Sequence, residues 1–208
     1  MAQSISIETT NIRSLKINDT VECRKKLKLL LANKPDIAIV TECQISPTHH
    51  ELLDRNFRYE LAEYTCVLNP KGRGGILAII KKSITLVYNT IINGDVLKLG
   101  IKTNDTCIAV IAVYAPSHRQ DVEFFLQVRK IQLNCDEPHQ IICGDFNTTL
   151  NKLLDKKGYH TDAHWITREV IREWIDSEEG HCLSDTFRLC NPHSCLLYTS
   201  PSPRDPWK

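Results

Sequence analysis

The stretch with the most chemistry per position is Ile141-Ile142-Cys143-Gly144-Asp145-Phe146-Asn147, where an apolar run stops at a glycine and then presents a carboxylate and a carboxamide two positions apart. A short β-branched run has the pattern of a buried strand. Side chains alternate along an extended chain, so Asp145 and Asn147 are expected on one side of it. Two hard oxygen ligands sharing a cleft suit Mg²⁺ and a water aimed at phosphorus, because Mg²⁺ prefers oxygen in tight octahedral geometry and keeps several waters. Gly, Asp and Asn are also the usual turn residues, so a polar turn capping a core strand fits the same segment. A second carboxylate has a similar setting: the apolar run 36–40 ends in Thr41-Glu42.

The elements that must hold these groups follow from periodicity. Residues 3–12 alternate as a first strand ending at Asn11. Asp19 and Glu22 form an Asp-x-x-Glu capping box, and Leu27, Leu30 and Leu31 recur at helical spacing until Asn33, with Pro35 preventing continuation. Strands are expected at 36–40, 59–68, 75–80, 84–88, 96–101 and 107–114, the last five antiparallel. Gly72, Gly74 and Gly75 supply one hairpin turn and Asn104-Asp105 another; with no Lys-Ser or Lys-Thr after the glycines, the stretch does not match a P-loop. Pro116 ends a strand and precedes a helix at 117–133 with Phe124, Phe125, Val128 and Ile131 as its stripe. A second helix is expected near 166–179, and 183–187 reads as a short strand or turn. The strand-helix-strand start argues for a layered α/β domain.

At 208 residues, 42% hydrophobic and 25% charged, the chain can build one sizeable core. A net charge of +1 excludes an overall basic field, so nucleic acid would have to meet local patches, Arg24, Lys25, Lys26 and Lys28 or Lys71 and Arg73. The nine cysteines contain no Cys-x-x-Cys pair, which fits free thiols in a reducing compartment. His181, Cys182, Cys190, His193 and Cys195 match no common zinc spacing. With no signal-like start and no run long enough to span a bilayer, the expectation is a soluble intracellular protein, nuclear or cytoplasmic, with no membrane partner.

Residues 195–205 have no periodicity and resemble one reading frame of a transposase-type sequencing adapter fused to a transcript; a genuine Pro-rich end is the alternative. The expected organisation is therefore a domain over 1–194, incomplete at its C-terminus, and an artefactual tail over 195–208.

Asn11, Glu42, Tyr114, Asp145 and Asn147 occur in an order and context that resemble the endonuclease/exonuclease/phosphatase superfamily, over about residues 5–190. More narrowly, Thr10-Asn11-Ile12-Arg13-Ser14-Leu15, Lys34-Pro35-Asp36-Ile37, Gly72-Arg73-Gly74-Gly75 and Ala112-Val113-Tyr114-Ala115-Pro116 resemble the apurinic-type endonuclease of LINE-type non-LTR retrotransposons. So do Asp162-Ala163-His164, Thr167-Arg168 and Asp185-Thr186-Phe187-Arg188. The resemblance implies an α/β (α+β) fold, a DNase-like four-layer αββα sandwich, C-terminally truncated here. It implies a DNA-nicking endonuclease that uses Mg²⁺ or Mn²⁺, leaves a 3′ hydroxyl, and works beside a reverse transcriptase domain of a longer parent protein. Glu42 would bind the metal, with Asn11 beside it and Asp145 sharing its waters. Asp145 and Asn147 would orient the attacking water, Tyr114 would donate to a phosphate oxygen, and Lys71 and Arg73 would contact the substrate backbone. Each has a plainer role open to it: Asn11 as a turn cap, Glu42 as a surface acid, Tyr114 as a sheet residue. A phosphatase of the same superfamily and a non-catalytic nucleic-acid-binding remnant are the competing functions. The superfamily's closing Ser-Asp-His has no counterpart, since neither His181 nor His193 follows Ser-Asp. The expectation is that the chain as written is inactive or poorly folded.

Overall fold

Five-residue strand β2 (Ile37–Thr41) is buried along its whole length, and its alternation shows how the layers are made. In the computed structural model, which describes residues 4–71, 74–103, 106–115, 117, 121–151, 165–177 and 183–192, Ile37 and Ile39 face one core while Ala38 and Val40 face another. Gly72, Arg73, Asn104-Asp105, Pro116, Asp162-Ala163-His164, His181, Cys182, His193 and the tail from Cys195 lie outside the described residues.

The chain divides into two compact units, Met1–Ala115 with Asn134–Phe146, and Pro116–Leu133 with Asn147–Lys208. The first unit runs β1 (Ile7–Asn11), α1 (Thr20–Leu30), β2, a 3₁₀ turn (Pro47–His49), α2 (His50–Asn56), β3 (Tyr64–Asn69), β4 (Ile76–Lys81), β5 (Thr85–Ile92), β6 (Val96–Thr103), β7 (Thr106–Tyr114) and β8 (His139–Asp145). These strands form two four-stranded sheets, β1-β2-β4-β3 and β5-β6-β7-β8. Each sheet has one parallel pair, β1 with β2 and β7 with β8, the remaining pairs being antiparallel. The five strands expected to be antiparallel are thus shared between two sheets, and β7 also takes a parallel neighbour. Cys23 and Leu27 of α1 and Leu53 and Phe57 at α2 cover the outer face of the first sheet. Its inner face meets Leu97, Leu99, Ile101, Val110 and Ala112 of the second. Burying side chains of this size contributes about 1.5–3 kcal/mol each.

One polar group interrupts that inner core. Asn69 is fully buried and its Nδ2 donates to the Val96 carbonyl at 2.8 Å, passing from the first sheet to the second. Its Oδ1 and the buried Thr41 hydroxyl have no partner among the described residues, an arrangement that costs about 1–3 kcal/mol per group.

The second unit holds α3 (Val122–Leu133), α4 (Trp165–Asp176) and α5 (Thr186–Cys190). Trp174 Nε1 donates to Gln132 Oε1 at 3.2 Å within it, and buried Arg168 donates through Nε to the Thr149 carbonyl at 2.7 Å.

Several readings change. Residues 183–187 do not form a strand or simple turn: Asp185 caps α5 by accepting from the Arg188 N–H at 3.0 Å. The helix at 50–56 is not expected from the sequence, because its seven residues are too few to show a helical apolar stripe. Only half of the capping box forms, Asp19 Oδ1 accepting from Glu22 N–H at 3.0 Å while Asp19 N–H goes to the Lys16 carbonyl. The seven described cysteines are all free thiols, Cys190 alone of the imagined zinc set among them. No described helix is long and apolar enough to cross a membrane.

Candidate active site

Parallel strands end side by side, and that is how four of the expected residues meet. Asn11 closes β1 opposite Thr41 of β2, and Tyr114 closes β7 opposite Asp145 at the end of β8. Past the strands the first pair stays zipped together: Ile12 N–H donates to the Thr41 carbonyl, Ser14 N–H to Glu42 at 2.7 Å and Leu15 N–H to Cys43 at 2.9 Å. Those bonds hold Glu42 in a left-handed conformation, φ 52°, at a cost of about 1–2 kcal/mol for a residue with a Cβ. Asp145 is presented without such strain because the positive φ, 129°, falls on Gly144 inside β8; a Cβ there would lie 2.1 Å from the Val113 carbonyl oxygen.

Asn11 Nδ2 donates to Glu42 Oε1 at 2.9 Å and to Asp145 Oδ2 at 2.8 Å, joining carboxylates from two sheets. The Tyr114 hydroxyl donates to the same Glu42 Oε1 at 3.0 Å. Burial and the adjacent Glu42 charge raise the Tyr114 phenol well above its ordinary range, so it stays a donor at neutral and mildly alkaline pH. Its ring lies against the backbone of Gly74, where a Cβ would come within 2.8 Å of Cε1.

Two expectations change here. Strand β8 stops at Asp145 and Asn147 has φ 47°, so alternation along an extended strand does not reach Asn147. Asn147 opens the second unit. The basic patch at 24–28 is partly spent on structure: Lys26 Nζ donates to the Ser14 carbonyl at 2.7 Å and the Ile12 carbonyl at 3.3 Å, and Arg24 pairs with Glu60 at 3.2 Å. Lys71 is ion-paired with Asp95, whose carbonyl accepts the Tyr114 N–H at 2.8 Å. No local signal marks Lys26 or Asp95 as supports, because each acts on a segment at least a dozen residues away in the chain.

The donor set fits a hard divalent cation. Glu42 Oε1 is engaged twice while Oε2 takes no hydrogen bond among the described residues, and the surrounding acceptors are all oxygen. No group of three or more His, Cys, Asp or Glu side chains able to hold a metal occurs among the described residues. Two carboxylates beside a carboxamide suit Mg²⁺, which is commonly held by one or two carboxylates with waters and substrate phosphates.

No family model and no curated protein matches the chain. Solved structures match along most of it. AP endonuclease LMAP from Leishmania major superposes with a TM-score of 0.71 at 17% identity, over 93% of this chain and 72% of that one. The 3′ phosphatase NExo from Neisseria, bound to a product DNA hairpin, gives 0.73 at 15% over 95% and 80%. The fold is that of the AP endonucleases. The Xenopus laevis APE2 catalytic domain agrees, with a TM-score of 0.69 at 15% identity over 92% and 74%. The AP endonuclease fold is the DNase-like α/β class expected from the sequence.

Proposed function

We propose that this chain is a metal-dependent phosphodiesterase that nicks DNA and leaves a 3′ hydroxyl, the endonuclease of a LINE-type retrotransposon whose parent protein uses that end to prime reverse transcription. The observation that carries the reading is the Asn11 amide bridging Glu42 and Asp145 across two sheets, with the Tyr114 hydroxyl on the same Glu42 oxygen. Glu42, with Asp145 and Asn11 beside it, would hold Mg²⁺ or Mn²⁺, which when bound polarises the scissile phosphate and stabilises charge on the leaving oxygen. Asp145, kept in place by Asn11, accepts a hydrogen bond from the attacking water and takes its proton; Asn147 helps orient that water. Tyr114 donates to a non-bridging phosphate oxygen, a fixed dipole aimed where charge develops. Lys71 and Arg73 contact the flanking backbone.

The test is relaxation of supercoiled plasmid with Mg²⁺ or Mn²⁺. Nicking that disappears in Glu42→Ala supports the reading and also overturns the expectation that the missing Ser-Asp-His element silences the chain. Salt-dependent DNA binding with no metal-dependent cleavage sinks it in favour of a non-catalytic DNA-binding protein. The 3′ phosphatase among the structural neighbours supports a second reading, removal of a terminal 3′ phosphate. An oligonucleotide carrying that group, dephosphorylated faster than plasmid is nicked, would select it.

A further inference from the structure

Each half of the site belongs to a different sheet, Asn11 and Glu42 to the first and Tyr114 and Asp145 to the second. Between the sheets lie Ile, Leu, Val and Ala side chains. Apolar contact is non-directional, so it sets the spacing of the sheets but not their register. A working site needs its groups held to about 0.5 Å. Directional bonds must therefore fix the register. Three of those seen among the described residues, Asn11 to Asp145, Tyr114 to Glu42 and Lys71 to Asp95, are made by the proposed site residues themselves.

The fourth is Asn69 to Val96, fully buried on the Asn69 side. Its place in the ladders is what matters. Asn11, Thr41, Ile76 and Asn69 form one continuous row across the first sheet. Val96, Val113 and Gly144 form a row across the second, one position before Tyr114 and Asp145. The Asn69 amide joins the end of the first row to Val96, which pairs with Ile92 of β5 on its other side and so lies inside the second row. Two residues past Asn69 stands Lys71, and one before Val96 stands Asp95, which accepts from Lys71 through its carboxylate and from Tyr114 N–H through its carbonyl. Stability alone gives no reason for an amide here, since its Oδ1 is buried without a partner among the described residues and a leucine fills the same volume without that cost.

We propose that Asn69 is a positioning residue whose buried amide locks the register of the two sheets at the site end, holding Tyr114 and Lys71 in line with Glu42. The catalytic half of this inference rests on the nuclease reading; the alignment half does not.

The experiment uses Asn69→Leu and Asn69→Asp in the full chain. Amide hydrogen exchange at Tyr114 should quicken at least tenfold in both, with Ile39 in β2 unchanged. Plasmid nicking should fall at least tenfold through kcat, with KM for DNA rising no more than the few-fold expected of a displaced Lys71. In Asn69→Asp, protonating the carboxyl at low pH restores a donor to the Val96 carbonyl, so Tyr114 protection, corrected for the intrinsic rate, should recover there. A merely structural role would quicken exchange at Ile39 as much as at Tyr114 and give no such recovery. Unchanged Tyr114 exchange in both variants, or an equal rise throughout β2, overturns the proposal. A wild-type chain that never nicks sinks the nuclease reading, while the exchange data still decide the role of Asn69.

Discussion

The two sheets deliver a carboxylate to the same place by different means. In the first, Glu42 itself takes the left-handed turn after β2, at φ 52°, and the bonds from Ser14 and Leu15 keep it there. In the second, Gly144 carries the positive φ, 129°, inside β8, and Asp145 ends the strand without one. One half stores strain on Glu42, the proposed metal-binding residue; the other places it on a glycine with no side chain to lose. Sensitivity to substitution should differ accordingly.

The largest effect expected is on both sheets together. Burial raises the thiols of Cys66 in the first sheet, Cys143 in the second and Cys23 under the first from 9.0 to about 12. Folded and unfolded states are both protonated below pH 9, so this stability is fully present there and is lost as pH rises towards 12. Melting temperature should drop steeply across that window, and Cys66→Ala or Cys143→Ala should flatten the slope; a flat profile in the wild type would contradict the buried thiols. Next comes Gly144→Ala. A backbone oxygen at 2.1 Å cannot move aside, so a loss of about 3 kcal/mol or more is expected by thermal or urea unfolding. Tolerance of that change would erase the contrast between the sheets.

Asn11→Asp should cost about 2 kcal/mol at pH 7, because it replaces a shared donor with a third carboxylate between two others. Like-charge crowding raises the new group's pKa in the folded state, so the variant should regain stability as pH falls from 7 towards about 4, the regain being complete there. Added Mg²⁺ should stabilise it more than the wild type; equal responses would argue against a cation site at Glu42 and Asp145. At Glu42 the backbone strain can be isolated: Glu42→Gly should unfold about 1 kcal/mol later than Glu42→Ala, both without nicking. The smallest effect belongs to Lys71→Ala, a few-fold weaker DNA binding with a salt slope reduced by about one ion.

Local signals carried much of this. Glu42, Tyr114 and Asp145 each sit at the end of an apolar run and Asn11 at the end of an alternating one, so their strand-end placement was legible from residue order alone. The hairpin turn Asn93-Gly94, with φ 50° and 73°, carries an equally plain signal that went unread. Asn147 was misplaced because alternation was carried past Asp145 into a residue at φ 47°. Lys26 looked like part of a solvated charge run, since nothing local marks a side chain that caps carbonyls a dozen residues away.

What the sequence by itself determined is which residues end strands and which glycines and caps break them, because those depend on near neighbours and on period. Which strands pair in parallel, how five presumed antiparallel strands divide between two sheets, and that Asn69 reaches Val96 were decided only by the tertiary structure. These depend on how apolar faces meet, and non-directional burial leaves no mark in residue order of which face will meet which.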